Sequence, residues 1–188
     1  MDAFNSNNAP LDCSMLEKVF IQKGILKSFR KNDYFIRQNE KTKYIGCIVT
    51  GIFRLSRIDT HGSEWIIGYS FEQDFVCDYP AMMQNVETSI NIQALMDSTV
   101  YLLPWSELNT FWETNMDTQR LGRNIAETMF SEIVQRLYSF YDTPEQRYIT
   151  LMQRYPQLQE RLTLKEIASF IGVTPETISR IRKNLLYK

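Results

Sequence analysis

The hydrophobic pattern of the chain changes period twice, after residue 24 and again near residue 104. Between those points the apolar positions come in short runs, at residues 28–31, 34–38, 44–49, 52–57, 64–69, 91–95 and 99–103, rich in β-branched and aromatic side chains. Turn-forming residues separate them: Asn32 and Asp33, Thr50 and Gly51, His61 and Gly62, Asp97 and Ser98. Many short strands at close spacing, with no helix between them, predict an antiparallel sandwich or barrel. Ahead of that block, residues 11–24 predict a short amphipathic helix with Met15, Leu16, Val19 and Phe20 on one side and Gly24 as its stop.

Pro104 ends the β region, and from Ser106 onward the spacing is helical. Residues 117–141 read as one long helix. Leu121, Ile125, Met129, Ile133 and Leu137 recur every fourth residue, and Ala126, Phe130, Val134 and Tyr138 form a second row beside them. A stripe that wide exceeds what one neighbouring surface covers. It predicts one side packed on the β domain and the other on a second copy of the same helix. Strict heptads are not kept, so no long regular coiled coil is implied. Asp142 to Pro144 break the pattern as a hinge, and Pro144 can open a helix over 145–155 that Pro156 closes.

The last stretch, 163–183, carries the sharpest local signals. Thr163 can cap a helix, with Glu166 completing a capping box. Leu164, Ile167, Ala168 and Ile171 then fall on one face, and Gly172 is the stop. Thr174 caps a second helix with Pro175 at its first position, where a missing N–H is harmless. Ile178, Ile181 and Leu185 point one way, while Glu176, Thr177, Ser179, Arg180, Arg182 and Lys183 cover the rest. Two capped helices around a glycine turn, with a small residue at Ala168 for close approach, form a helix-turn-helix. Its outer face has the donors and acceptors that a DNA major groove requires: arginine for guanine, glutamate for cytosine.

Charge sharpens this picture. The whole chain of 188 residues has net charge −1. From Arg161 onward, however, Arg161, Lys165, Arg180, Arg182, Lys183 and Lys188 face only Glu166 and Glu176. A local basic excess suits phosphate contact and predicts salt-dependent binding. Composition is that of an ordinary globular protein. The start lacks a signal peptide's basic and apolar regions, and no apolar run is long enough to span a bilayer, so a cytoplasmic location without membrane contact is expected. Cys13, Cys47 and Cys77 lack metal-ligand spacing and fit reduced thiols.

A β domain, a long helix, a hinge and a terminal helix-turn-helix, in that order, resemble the Crp/Fnr family of bacterial transcriptional regulators over essentially the whole chain. The segment from Thr174 to Arg180 is similar to the family's recognition helix, and 35–40, 44–51 and 94–100 are similar to its β-domain strands. The resemblance implies an α+β fold. An antiparallel jelly-roll sensor domain of the cyclic-nucleotide-binding type would occupy 1–116, a dimerisation helix 117–141, and a helix-turn-helix domain 142–188. It also implies a homodimer on a roughly palindromic double-stranded operator, with RNA polymerase as a further partner. Glu176 and Arg180 fall at base-reading positions with Ser179 between them, and Thr163, Thr177 and Lys183 at phosphate-contact positions. Pro175 stands where members often carry a base-contacting arginine. The β wing found after the recognition helix in many members is expected to be short or missing.

The family's effector cassette uses Gly-Glu for a ribose and Arg-Ser for a cyclic phosphate. Read without gaps, those pairs fall on Cys77-Asp78 and Thr88-Ser89. Burying the phosphate without its arginine forfeits a charge-assisted pair, on the order of several kcal/mol, so control by cyclic AMP is not expected. An oxygen-sensing iron–sulfur cluster needs four thiolates and the chain has three. Haem would have to use Cys77 or His61, and His61 reads as a turn residue. No metal and no cofactor are therefore expected, and any small effector is unidentified.

The functional expectation is a homodimeric, sequence-specific DNA-binding regulator. The competing reading is a ligand-sensing module whose C-terminal helices bind a protein instead of DNA. An enzyme is not expected: the lone histidine lacks a nucleophile partner, and no Gly-rich phosphate loop or His/Glu metal spacing occurs.

Overall fold

The computed structural model describes residues 12–154 and 158–186. They divide into two compact units, with the boundary between Ala126 and Glu127. The chain is a mixed fold of antiparallel sheets followed by helices.

In the first unit, α1 (Ser14–Lys23) is followed by β1 (Ile25–Phe29), β2 (Tyr34–Ile36), β3 (Tyr44–Thr50), β4 (Phe53–Ile58), β5 (Glu64–Ser70) and β6 (Phe75–Val76). Then come α2 (Tyr79–Gln84), β7 (Asn91–Ala94), β8 (Ser98–Pro104) and α3 (Trp105–Trp112). The strands form two four-stranded sheets, ordered β1-β8-β3-β6 and β2-β7-β4-β5, and every pairing is antiparallel.

Both sheets contribute to one core: Phe29, Ile48, Val76 and Val100 from the first, Ile36, Phe53 and Ile92 from the second. Phe53 sits edge-on to Phe29 at 5.5 Å and to Phe35 at 6.3 Å, the geometry aromatic quadrupoles prefer. Gly46 makes room for this packing. A Cβ there would lie 2.6 Å from Val100, 2.7 Å from Val76 and 2.9 Å from Phe35.

The first sheet is covered on its other face too, where Ile45 and Leu103 join Leu16, Phe20, Met82, Leu108 and Leu121 in a second cluster. That explains why β8 reads as an unbroken apolar run: Val100 and Leu102 serve one core, Tyr101 and Leu103 the other.

Several expectations change here. The first strand is 25–29 rather than 28–31, and Arg30 and Lys31 lie in the turn beyond it. Its first four residues are exposed on a sheet edge, so no burial alternation marks it. Asn32 takes a positive φ of 74°, and Asp33 accepts from the Arg30 N–H at 2.8 Å. Met15 is 42% exposed, so the buried face of α1 rests on Leu16 and Phe20. Gly24 does stop α1, in extended backbone, and a side chain is excluded there because a Cβ would fall 2.3 Å from the Phe20 carbonyl oxygen. Leu11, Tyr155 and Pro156 lie outside the described residues.

The long helix, α4, runs Met116–Ser139. Its apolar stripe is divided along the axis. Thr118 and Leu121 are buried and Ile125 packs on the second cluster. Gly122 lets the helix approach the Trp112 ring, since a Cβ there would sit 3.2 Å away. Farther along, Phe130, Ile133, Leu137 and Tyr138 are 69%, 65%, 56% and 59% exposed.

The second unit holds α5 (Pro144–Arg154), α6 (Leu158–Arg161), α7 (Leu164–Ile171) and α8 (Pro175–Leu186). Tyr148, Leu151, Leu162, Ile167, Ala168, Ile171, Ile178 and Ile181 are buried in it. The Arg136 guanidinium stacks 4.2 Å above the Phe170 ring. Among the described residues no helix is long and apolar enough to cross a membrane.

Candidate functional site

The helix pair α7–α8 is assembled by local chemistry. Thr163 accepts from the Glu166 N–H at 3.3 Å, while the Glu166 carboxylate accepts from the Thr163 N–H at 2.9 Å. The expected capping box is therefore reciprocal. The same carboxylate accepts from the Thr163 hydroxyl at 2.8 Å. Gly172 is left-handed at φ 78°, ψ 42°. Val173 N–H donates to the Ala168 carbonyl and Gly172 N–H to that of Ser169, the two bonds of a Schellman stop. Nothing lies within 4 Å of a Cβ at Gly172, so glycine is required there for its dihedrals and not for space.

Thr174 caps α8 by accepting from the Thr177 N–H at 3.3 Å, and the two hydroxyls meet at 3.2 Å. Pro175 is the first helical residue. Ile178 and Ile181 are buried on the inner face of α8, which packs on α7 and α5, and Ala168 of α7 is 1% exposed. Glu176, Ser179, Arg180 and Lys183 are exposed; Pro175 and Thr177 are half-buried. The Glu176 carboxyl is held below the usual carboxylate range by its own backbone N–H and by Thr174. It is ionised at neutral pH. One departure is Arg182: it turns inward, its Nε donating to the Tyr148 hydroxyl at 2.9 Å.

In the first unit the structure brings two of the four cassette residues together. The Thr88 hydroxyl, 1% exposed, donates to the Asp78 carboxylate at 2.5 Å and accepts from the Ile90 N–H at 3.2 Å. The other Asp78 oxygen accepts from the Ala81 N–H at 3.3 Å and caps α2, which ends at Asn85 with φ 53°. Ser89 is exposed and not part of this contact. Cys77 packs on the second cluster, and burial pushes its thiol up to about 12. Cys47 is likewise raised to about 11 by burial. Thiols held neutral are poor nucleophiles and poor ligands.

Helix α2 escaped the sequence reading, although Asp78 with Pro80 two residues on is a helix-start signal. His61 is exposed in the turn between β4 and β5, as expected. No group of three or more metal-ligating side chains occurs among the described residues.

Comparison with known proteins agrees with this architecture. Residues 26–115 match the cyclic nucleotide-binding domain family. A probable transcriptional activator of Rhizobium leguminosarum bv. viciae is 24% identical over 164 residues, covering 77% of this chain and 64% of that protein. The cAMP-activated global transcriptional regulator CRP of Salmonella typhimurium is 26% identical over 162 residues, covering 80% of this chain and 77% of its own. The structure of FixK2 from Bradyrhizobium japonicum superposes with a TM-score of 0.70 at 17% identity, over 87% of this chain and 85% of that one. The chain therefore matches the cyclic nucleotide-binding domain family over residues 26–115 and is similar to transcriptional regulators along most of its length.

Proposed function

We propose that the chain is a sequence-specific DNA-binding regulator that acts as a homodimer and is not controlled by cyclic AMP. The observation that carries this reading is the exposed row Glu176, Ser179, Arg180 and Lys183 on a helix whose opposite face is buried. Laid in a major groove, Arg180 donates to a guanine and Glu176 accepts from a cytosine amine, with Ser179 between them. Lys183, Thr163 and Thr177 meet the phosphates, and Pro175 adds shape without a donor. In this reading α7–α8 is a helix-turn-helix within 142–188, residues 117–141 are the dimerisation helix, and 1–116 form the jelly-roll sensor. The open Phe130, Ile133, Leu137 and Tyr138 face is the surface for a second copy.

The cassette geometry argues against a cyclic nucleotide. A bound phosphate needs a cation where this chain has a buried threonine hydrogen-bonded to a carboxylate. Bringing a phosphate beside Asp78 sets two anions together with no cation from Thr88 or Ser89 to offset the desolvation. Any effector that uses Cys77, Asp78, Thr88 and Ser89 is therefore uncharged or cationic at that end.

The test is fluorescence anisotropy of the full chain against a duplex from its own upstream region and against a random pool, over a salt series, with and without cyclic AMP. Tight, salt-steep, duplex-selective binding unaffected by cyclic AMP is expected. Arg180→Ala should weaken it by about 1–3 kcal/mol per half-site, the value of one bidentate base contact. Binding that requires cyclic AMP overturns the cassette argument. Salt-independent binding, or none, favours a protein partner for the helix pair.

A further inference from the structure

Three charged side chains of α8, Glu176, Arg180 and Lys183, look outward, but one cation does not. On an α-helix successive residues turn about 100°, so Arg182 lies about 160° from Arg180 and about 40° from Ile178. It shares the buried face with Ile178 and Ile181. There its Nε donates to the Tyr148 hydroxyl at 2.9 Å, and Tyr148 on α5 is only 3% exposed. The guanidinium is 5.8 Å from the ring centroid, at the limit of a cation–π contact, so the hydrogen bond dominates.

We propose that Arg182 is a positioning residue: it fixes the roll of α8 against α5 and makes no phosphate contact, although its charge and place in the recognition helix invite that assignment. The physical reason is directional. The apolar contacts of Ile178 and Ile181 resist separation of α8 from its neighbours and any large rotation that would expose them, yet they discriminate weakly among small rolls about its axis, because dispersion and burial have no preferred direction. A charge-assisted hydrogen bond from a planar group is shorter, stronger and oriented. A bond to a buried phenol on the neighbouring helix therefore selects one rotation, and with it the directions in which Glu176, Ser179 and Arg180 point. Misrotation by a fraction of a turn carries a bidentate donor out of register with a base edge.

The proposal rests on the DNA-binding reading for its consequence, but the anchor is testable without DNA. Full-length wild type, Tyr148→Phe, Arg182→Met, the double variant and Lys183→Gln are compared by two methods. The first is hydrogen exchange of the α8 amides in the free protein. The second is anisotropy against a labelled duplex selected from a random pool and against the unselected pool, over a salt series.

Tyr148→Phe keeps every cation, so it separates anchoring from charge. It and Arg182→Met should each speed exchange in α8 and weaken the selected duplex about three- to tenfold. The selected-over-random ratio should fall by a similar factor, which a general loss of stability does not produce. The double variant should be no worse than the poorer single, and the salt slope should match wild type. Lys183→Gln should lower that slope by about 1.8, one phosphate contact of about 0.9 from each subunit of the homodimer. An Arg182→Met slope reduced as in Lys183→Gln overturns the proposal, as does a Tyr148→Phe protein with wild-type exchange in α8. If wild type binds no duplex, the DNA-binding reading fails, and exchange alone decides the anchor.

Discussion

The open half of α4 yields the most direct quantitative test. Ile133→Asp places a carboxylate in the centre of the row formed by Phe130, Ile133, Leu137 and Tyr138. Fully burying an isoleucine side chain stabilises by about 1.5–3 kcal/mol. Ile133 is already about one-third covered, being 65% exposed, so a second copy that covers the rest gains about 1–2 kcal/mol per chain. A two-fold interface counts that residue twice. Losing it costs about 2–4 kcal/mol, and at 1.4 kcal/mol per decade the dissociation constant rises about 30- to several-hundred-fold.

The carboxylate adds its own desolvation, so this range is a lower bound. Sedimentation velocity across a concentration series reads the effect. Wild type should be dimeric at micromolar concentration and the variant monomeric, with circular dichroism unchanged because Ile133 makes little contact within one chain. A wild-type chain that stays monomeric into the high micromolar range refutes the interface, and so does a variant that dimerises as well as wild type.

The remaining tests are simpler. Asp78→Ala strips the buried Thr88 hydroxyl of its carboxylate and α2 of its cap, for a loss of about 2–4 kcal/mol in urea unfolding; Ser89→Ala, at an exposed site, should cost almost nothing. Gly46→Ala forces a methyl group into contact with Val100, Val76 and Phe35 and should destabilise by about 1–3 kcal/mol, and an unchanged unfolding midpoint refutes the packing argument. Cys47 and Cys77 should resist iodoacetamide at pH 8 until the protein is unfolded. Because burial raises their folded values, the stability they contribute is present at neutral pH and lost as pH climbs toward 11 and 12, so alkylation should accelerate steeply only in that range.

How legible each element was depends on where its determinants lie. The α7–α8 turn was readable because Thr163, Glu166, Gly172, Thr174 and Pro175 act on backbone within a few residues of themselves, and local sequence is then sufficient. Most strands were readable from the turns between them. Strand β1 was misplaced because its exposed residues carry no burial signal, and its existence depends on pairing with β8, some seventy residues away. Asp78 and Thr88 could be placed in a cassette by position, but their mutual hydrogen bond required the fold to bring 78 and 88 face to face.

The sequence by itself determined the order of parts: a β domain, one long helix, a break, and a capped helix pair with a polar outer row. It did so because capping, turn chemistry and periodicity are short-range properties. Tertiary structure decided which side chains are still free to act. It covered the apolar stripe of α4 at Leu121 and left it open at Ile133. Among the cations of α8 it turned Arg182 to Tyr148 and left Arg180 and Lys183 exposed, a sorting that depends on what α5 presents at that point. Helical spacing specifies a direction around an axis, and only packing supplies the neighbour that lies in that direction.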